Sequence, residues 1–161
     1  VKQREEIRAD VVVCPLAQKF GQAVAWKHWD FVVRGLDDAG LNVFAADGDG
    51  RGSWETCLPA TDYDRWFDAT LQAMYDAELV VCVDSDMAYL AVLCGRPVLM
   101  ITHGDMCPFP NAKRIDDEAY DRMNHTGSPI RKMRGSWNKP DVILAETLKW
   151  HERLSSGLGR A

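Results

Sequence analysis

Residues 80–100 read VVCVDSDMAYLAVLCGRPVLM. An unbroken apolar run is followed by the acidic corner Asp84, Ser85, Asp86, then by a short stretch of small and apolar residues, Gly95, Pro97 and a second apolar run. A continuous apolar run of this length reads as a strand buried on both faces, the habit of parallel sheets. Residues 86–94 read as a short, almost wholly apolar helix. The unit is therefore strand, corner, helix, strand, with three polar residues where the first strand hands over to the helix.

The same alternation continues outward in both directions. Upstream, VVVCP (11–15) is another buried parallel strand. LAQKFGQAVAWKHWD (16–30) is expected to be a loop that turns into a helix, in which Trp26, Trp29, Val33 and Leu36 recur at helical spacing and Gly40 closes the end. LNVFAA (41–46) is a strand and DGDGRGS (47–53) a glycine-rich loop. TCLP (56–59) suggests a short strand. TDYDRWFDATLQAMYDA (61–77) puts Tyr63, Trp66, Phe67, Thr70, Leu71 and Met74 on one helical face, with Thr61 or Asp62 as caps. Downstream, residues 103–137 show little periodicity and are expected to form a long irregular loop. Residues 138–155 read as an amphipathic C-terminal helix capped by Asn138, with Ile143, Leu144, Leu148, Trp150 and Leu154 inward.

Alternating strands and helices predict an α/β fold: one three-layer, Rossmann-like domain over 1–161, with a parallel sheet covered by helices on both faces. Residues 1–9 are too polar for its core and read as a linker or frayed start. Ligands in such sheets bind outside the carboxyl ends of the strands. The loops to watch are thus 14–27, 46–56, 84–88 and 102–110.

Composition narrows the partners. The chain has 161 residues, 47% of them hydrophobic, which suits one domain with its own core. A net charge of −5 argues against duplex nucleic acid or an anionic membrane as a general partner, so any phosphate must be held locally. No apolar run approaches the roughly 18 to 20 residues that span a bilayer, and the charged start does not resemble a signal peptide. The five cysteines form no C-x-x-C pair and read as reduced residues of a cytoplasmic protein. The four histidines (28, 103, 125, 151) have no metal-ligand spacing, so no metal is expected. DGDGRG lacks the closing glutamate of a calcium loop, and GDGRGS lacks the ending of a P-loop.

The stretch DAELVVCVDSDMAYLAVLCGRPVLM (76–100) resembles the donor-binding motif of the heptosyltransferase-like glycosyltransferases, the ADP-heptose:LPS heptosyltransferase family. That motif runs A-D-L-V-V-x-x-D-S-G-x-x-H-L-A-x-A-x-G-x-P-V. The spacing from Asp84 to Gly95 and Pro97 agrees without a gap, and VVVCP followed by WKHW resembles the family's strand, loop and K-x-W segment. The resemblance implies the C-terminal, nucleotide-sugar-binding half of a GT-B transferase, with donor phosphates against Asp84, Ser85, Asp86, Met87 and Tyr89. It also implies help from Lys27. A helix start supplies unsatisfied amides and a partial positive charge, which suits a diphosphate. An acid in the loop after the second strand, Asp47 or Asp49, is placed to bond a ribose hydroxyl. Asp86 stands where the motif has glycine and Tyr89 where it has histidine.

The expected function is therefore a nucleotide-sugar-binding, glycosyltransferase-like domain. It would transfer a sugar from a nucleotide diphosphate donor when completed by an acceptor domain or a partner chain, and it would need no other cofactor. No catalytic residue is assignable, because the base ordinarily comes from the acceptor half. Two alternatives stand beside it. One is a non-catalytic binding or scaffold module that assembles into an oligomer. The other is a nucleoside deoxyribosyltransferase-like enzyme, which resembles this chain in its aspartate-serine corner but expects a glutamate where MAYLAVL has none.

Overall fold

Five parallel strands form the sheet in a computed structural model that describes residues 9–15, 17–19, 22–24, 26–46, 63–102, 122 and 124–157. In chain order the elements are β1 (Val11–Cys14), β2 (Ala17–Lys19), β3 (Gln22–Val24), α1 (Trp29–Asp38), β4 (Val43–Ala45), α2 (Tyr63–Asp76), β5 (Leu79–Val83), α3 (Asp86–Leu93), β6 (Val98–Ile101), β7 (Ile130–Met133) and α4 (Pro140–Ser155). The sheet order is β4-β1-β5-β6-β7, with Val11 paired to Val43 on one side and to Leu79 on the other. This is the Rossmann-like α/β architecture expected from the sequence.

Alternate residues of each strand feed two cores. Val11, Val13, Leu79, Val81, Val83, Leu99 and Ile101 face Trp29, Val32 and Leu36 of α1 and Ile143, Trp150 and Leu154 of α4. Val12, Val80, Cys82, Val98 and Met100 face Ala73 and Met74 of α2 and Ala88, Ala91 and Val92 of α3. A strand with apolar residues on both sides must be covered on both sides, which is why the interior strands read as unbroken apolar runs. Thr70, Leu71 and Met74 fall on the inner side of α2 as expected, with Thr70 and Met74 fully buried.

The helices α1 and α3 end in the same way. Gly40 donates to the Asp37 carbonyl and Leu41 to Leu36 after α1; Gly95 donates to Val92 and Arg96 to Ala91 after α3. These paired bonds close each helix through a left-handed glycine, with φ of 80° at Gly40 and 71° at Gly95.

Three expectations need correction. The segment 103–137 is not irregular throughout, because Ile130–Met133 is the fifth strand and pairs in parallel with β6. It lies at the sheet edge and carries Arg131 and Lys132, so it lacks the apolar run that marks an interior strand. The loop after β1 contains an antiparallel hairpin, β2 with β3, whose three-residue strands are too short to leave a period in the sequence. The last helix begins at Pro140 with Lys139 as its N-cap residue, not at Asn138; proline fits the first helical turn because its missing N–H has no partner there. The expected strand at 56–59, the caps at Thr61 and Asp62 and the start at 1–8 lie outside the described residues.

Candidate functional site

Within the sheet, the chain first steps from β1 outward to β4, then returns past β1 to β5 and continues to β6 and β7. The direction reverses between β1 and β5. At such a point the connections leave the two neighbouring strands on opposite faces, so a crevice opens beyond their carboxyl ends. The ends concerned are Cys14 and Val83, and the acidic corner follows directly on Val83.

At that corner Asp84 donates its amide to the Ile101 carbonyl over 3.2 Å, which ties the turn to the end of β6. Ser85 is the N-cap residue of α3, in an extended conformation (φ −163°, ψ 176°), yet it makes no side-chain cap. Its buried hydroxyl instead donates back to the Val83 carbonyl at 2.9 Å. The Ser85 carbonyl accepts the first helical bonds, from Ala88 at 3.0 Å and Tyr89 at 3.4 Å. The amides of Asp86 and Met87 therefore begin the helix with no side chain bonded to them, in the position where a bound anion is favoured. Asp86 is exposed, while Met87 and Tyr89 are half-buried and lean on the core beneath α3. Strand β2 of the hairpin lies against α3.

Lys27 is exposed in the turn that leads into α1. The turn is anchored on both sides. Trp26 is buried and donates Nε1 to the Trp137 carbonyl at 2.7 Å, and it meets Trp29 edge-to-face with ring centroids 5.0 Å apart. Both tryptophans thus belong to the core, and the exposed cation is carried on a rigid base. His28, the N-cap residue of α1, makes no side-chain cap either. Three buried side-chain atoms without a hydrogen-bond partner lie along this carboxyl edge: His28 Nε2, Trp29 Nε1 and Thr102 Oγ1, the last just beyond β6. Burying such atoms unpaired is unfavourable. Sequence reasoning did not single out His28, Trp29 or Thr102 as polar contacts, because nothing in the spacing distinguishes an orphaned indole N–H from a packed one.

Beneath the crevice stand Cys14 and Cys82, cross-strand neighbours at the ends of β1 and β5. Burial pushes the Cys14 thiol up to about 12, and burial, Cys14 and Asp84, in that order, raise Cys82. Both are neutral thiols, unsuited to act as nucleophiles. Asp47 and Asp49 lie outside the described residues. The corner residues Asp84 to Tyr89 share one strand end with Lys27 on the neighbouring connection, while α1 and α3 pack on opposite faces of the sheet. Among the described residues no helix is long and apolar enough to cross a membrane.

No protein-family model matches the chain, and no curated protein matches it. Among solved structures, a match is the iron-containing dodecameric glycosyltransferase TibC from enterotoxigenic E. coli, with 16% sequence identity and a TM-score of 0.48. The match covers 92% of this chain and 48% of that one, so the chain spans about half the length of that protein.

Proposed function

We propose that the chain binds the diphosphate of a nucleotide or nucleotide-sugar in the crevice between β1 and β5, as the donor-binding half of a sugar-transfer enzyme. The observation that carries this reading is the Ser85 hydroxyl turned back to Val83, which leaves the first-turn amides of α3 uncapped at the topological switch point. In this reading the amides of Asp86 and Met87 take phosphate oxygens, and Lys27 supplies the compensating charge from the neighbouring connection. His28, Trp29 and Thr102 offer polar contacts for the rest of the donor. The ribose falls to the segment after β4, where Asp47 and Asp49 stand in the sequence. Sugar transfer would require an acceptor-binding partner, with the same amides and cation stabilising the departing diphosphate.

Calorimetry with a panel of nucleotide diphosphates and nucleotide-sugars tests the reading. Binding weakened at least tenfold by Lys27→Ala is the expected result. A wild-type chain that binds none of the panel would remove its basis.

One observation favours a second reading. Asp86 exposes a carboxylate at the helix start, where it repels an anion, and Phe31, Tyr75 and Leu93 are each about half exposed. A non-catalytic module that uses such apolar residues for assembly would show a stable oligomer by light scattering and no donor hydrolysis.

A further inference from the structure

Three ligand-type side chains from distant parts of the sequence meet at the amino-terminal edge of the sheet, away from the crevice. Asp10 and Glu78 immediately precede β1 and β5. Because Val11 pairs with Leu79, the two acids are neighbours across the ladder, and the Asp10 carbonyl accepts the amides of Glu78 and Leu79 at 3.0 and 3.3 Å. The last turns of α4 bring His151 over them, with Nε2 at 2.9 Å from Glu78 Oε2 and a side chain only 13% exposed. One donor atom from each of the three lies within 4.8 Å of the others.

An ion pair joins His151 to Glu78, and the bond from the Asn42 amide holds Asp10, which brings a second carboxylate to the same imidazole. The geometry points to a cation shared by all three. Zinc bonds of about 2.0 to 2.2 Å in a tetrahedron separate ligand atoms by roughly 3.4 Å, within the spread found here. One imidazole and two carboxylates neutralise a divalent ion, and this mixed nitrogen and oxygen set suits zinc over magnesium or calcium. The ligands are also held from behind: the Asn42 amide donates to Asp10 Oδ2 at 2.7 Å, and Ser155 Oγ donates to Glu78 Oε2 at 2.6 Å. We propose that Asp10, Glu78 and His151 form a divalent-cation site of the zinc type, completed by water, which clamps α4 to the amino ends of β1 and β5. Its ligands come from three distant segments of the chain, so no spacing motif marks it in the sequence.

The test uses the full chain, stripped with chelator and titrated with zinc chloride in a calorimeter and in thermal melts. One equivalent should bind and raise the melting temperature. His151→Ala and Glu78→Gln should each weaken binding by at least about tenfold. Asp10→Asn, which preserves the shape of the site, should do the same without unfolding the protein. Cobalt should give the visible bands of a nitrogen and oxygen site, free of thiolate charge transfer. A Cys57→Ser, Cys107→Ser double variant should bind zinc undiminished. The proposal is overturned by a wild-type chain that takes up no zinc at micromolar concentration, by Asp10→Asn and Glu78→Gln variants that bind as the wild type does, or by loss of binding in the cysteine variant.

Discussion

The indole Nε1 of Trp26 donates to the carbonyl of Trp137 across 111 residues of chain, at 2.7 Å. This bond joins the turn that carries Lys27 to the loop between β7 and α4. It therefore couples the position of the candidate phosphate ligand to the packing of the last helix. Trp26→Phe keeps an aromatic ring in the core but removes this bond, a loss of about 0.5 to 1.5 kcal/mol. Denaturant melts should register that loss, and donor affinity should fall further than Phe31→Ala, on the exposed side of α1, makes it fall. Equal affinities in the two variants would separate the tryptophan anchor from the site.

Gly40 and Gly95 close their helices with the same pair of bonds and similar positive φ, but their surroundings differ. A methyl group at Gly40 would meet nothing within 4 Å, whereas one at Gly95 would stand 2.8 Å from Thr126 Cγ2. Thr126 cannot step aside freely, because its hydroxyl is bonded to that of Ser128 at 2.9 Å, and Ser128 Oγ in turn donates to the Gly95 carbonyl at 2.6 Å. Gly40→Ala should therefore cost only the left-handed strain, about 1 to 2 kcal/mol. Gly95→Ala should cost more, about 2 to 4 kcal/mol once crowding is added. Adding Thr126→Ser to Gly95→Ala should restore part of the difference in denaturant melts.

The interior of the fold was legible because burial on two faces writes itself as continuous apolar runs, as at 11–14, 79–83 and 98–101. The edge strand at 130–133 was not, since an edge tolerates Arg131 and Lys132. The hairpin was missed for a different reason: three-residue strands are shorter than any window in which alternation can be recognised. The corner itself was located, but the behaviour of Ser85 was not legible, because a serine before a helix is by default a cap. Whether its hydroxyl turns forward to the helix or back to the strand depends on the carbonyl that β5 presents, a tertiary fact. The Asp10, Glu78 and His151 cluster depends likewise on strand register.

Asp86 sets the electrostatic cost of holding an anion at the start of α3. A full charge about 4 to 5 Å from a phosphate repels it by roughly 3 to 4 kcal/mol at an effective dielectric near 20. Because Asp86 is exposed, water and salt reduce that repulsion substantially. Asp86→Asn removes the charge while keeping the shape, and should strengthen diphosphate binding about tenfold at low ionic strength. The gain should shrink as salt is added. An affinity indifferent to this substitution, in a chain where Lys27→Ala does weaken binding, would move the phosphate away from the first turn.

The buried thiols predict how stability responds to alkaline pH. Cys14 is held up to about 12 from an ordinary value of 9.0, and Cys82 is raised as well. A raised pKa means that the folded protein keeps its proton where the unfolded chain has already lost it. The contribution is fully present below pH 9 and drains away as the pH rises from 9 towards 12, at up to about 1.4 kcal/mol per pH unit for each thiol. Melting temperature should therefore fall more steeply between pH 9 and 10.5 than between pH 7 and 8.5. Cys14→Val, which removes one such group and nearly preserves its volume, should flatten the alkaline limb relative to wild type. In the native state at pH 8, alkylation mapped by mass spectrometry should leave Cys14 and Cys82 unmodified, and denaturant should expose both. Rapid native labelling of Cys14 would contradict its full burial.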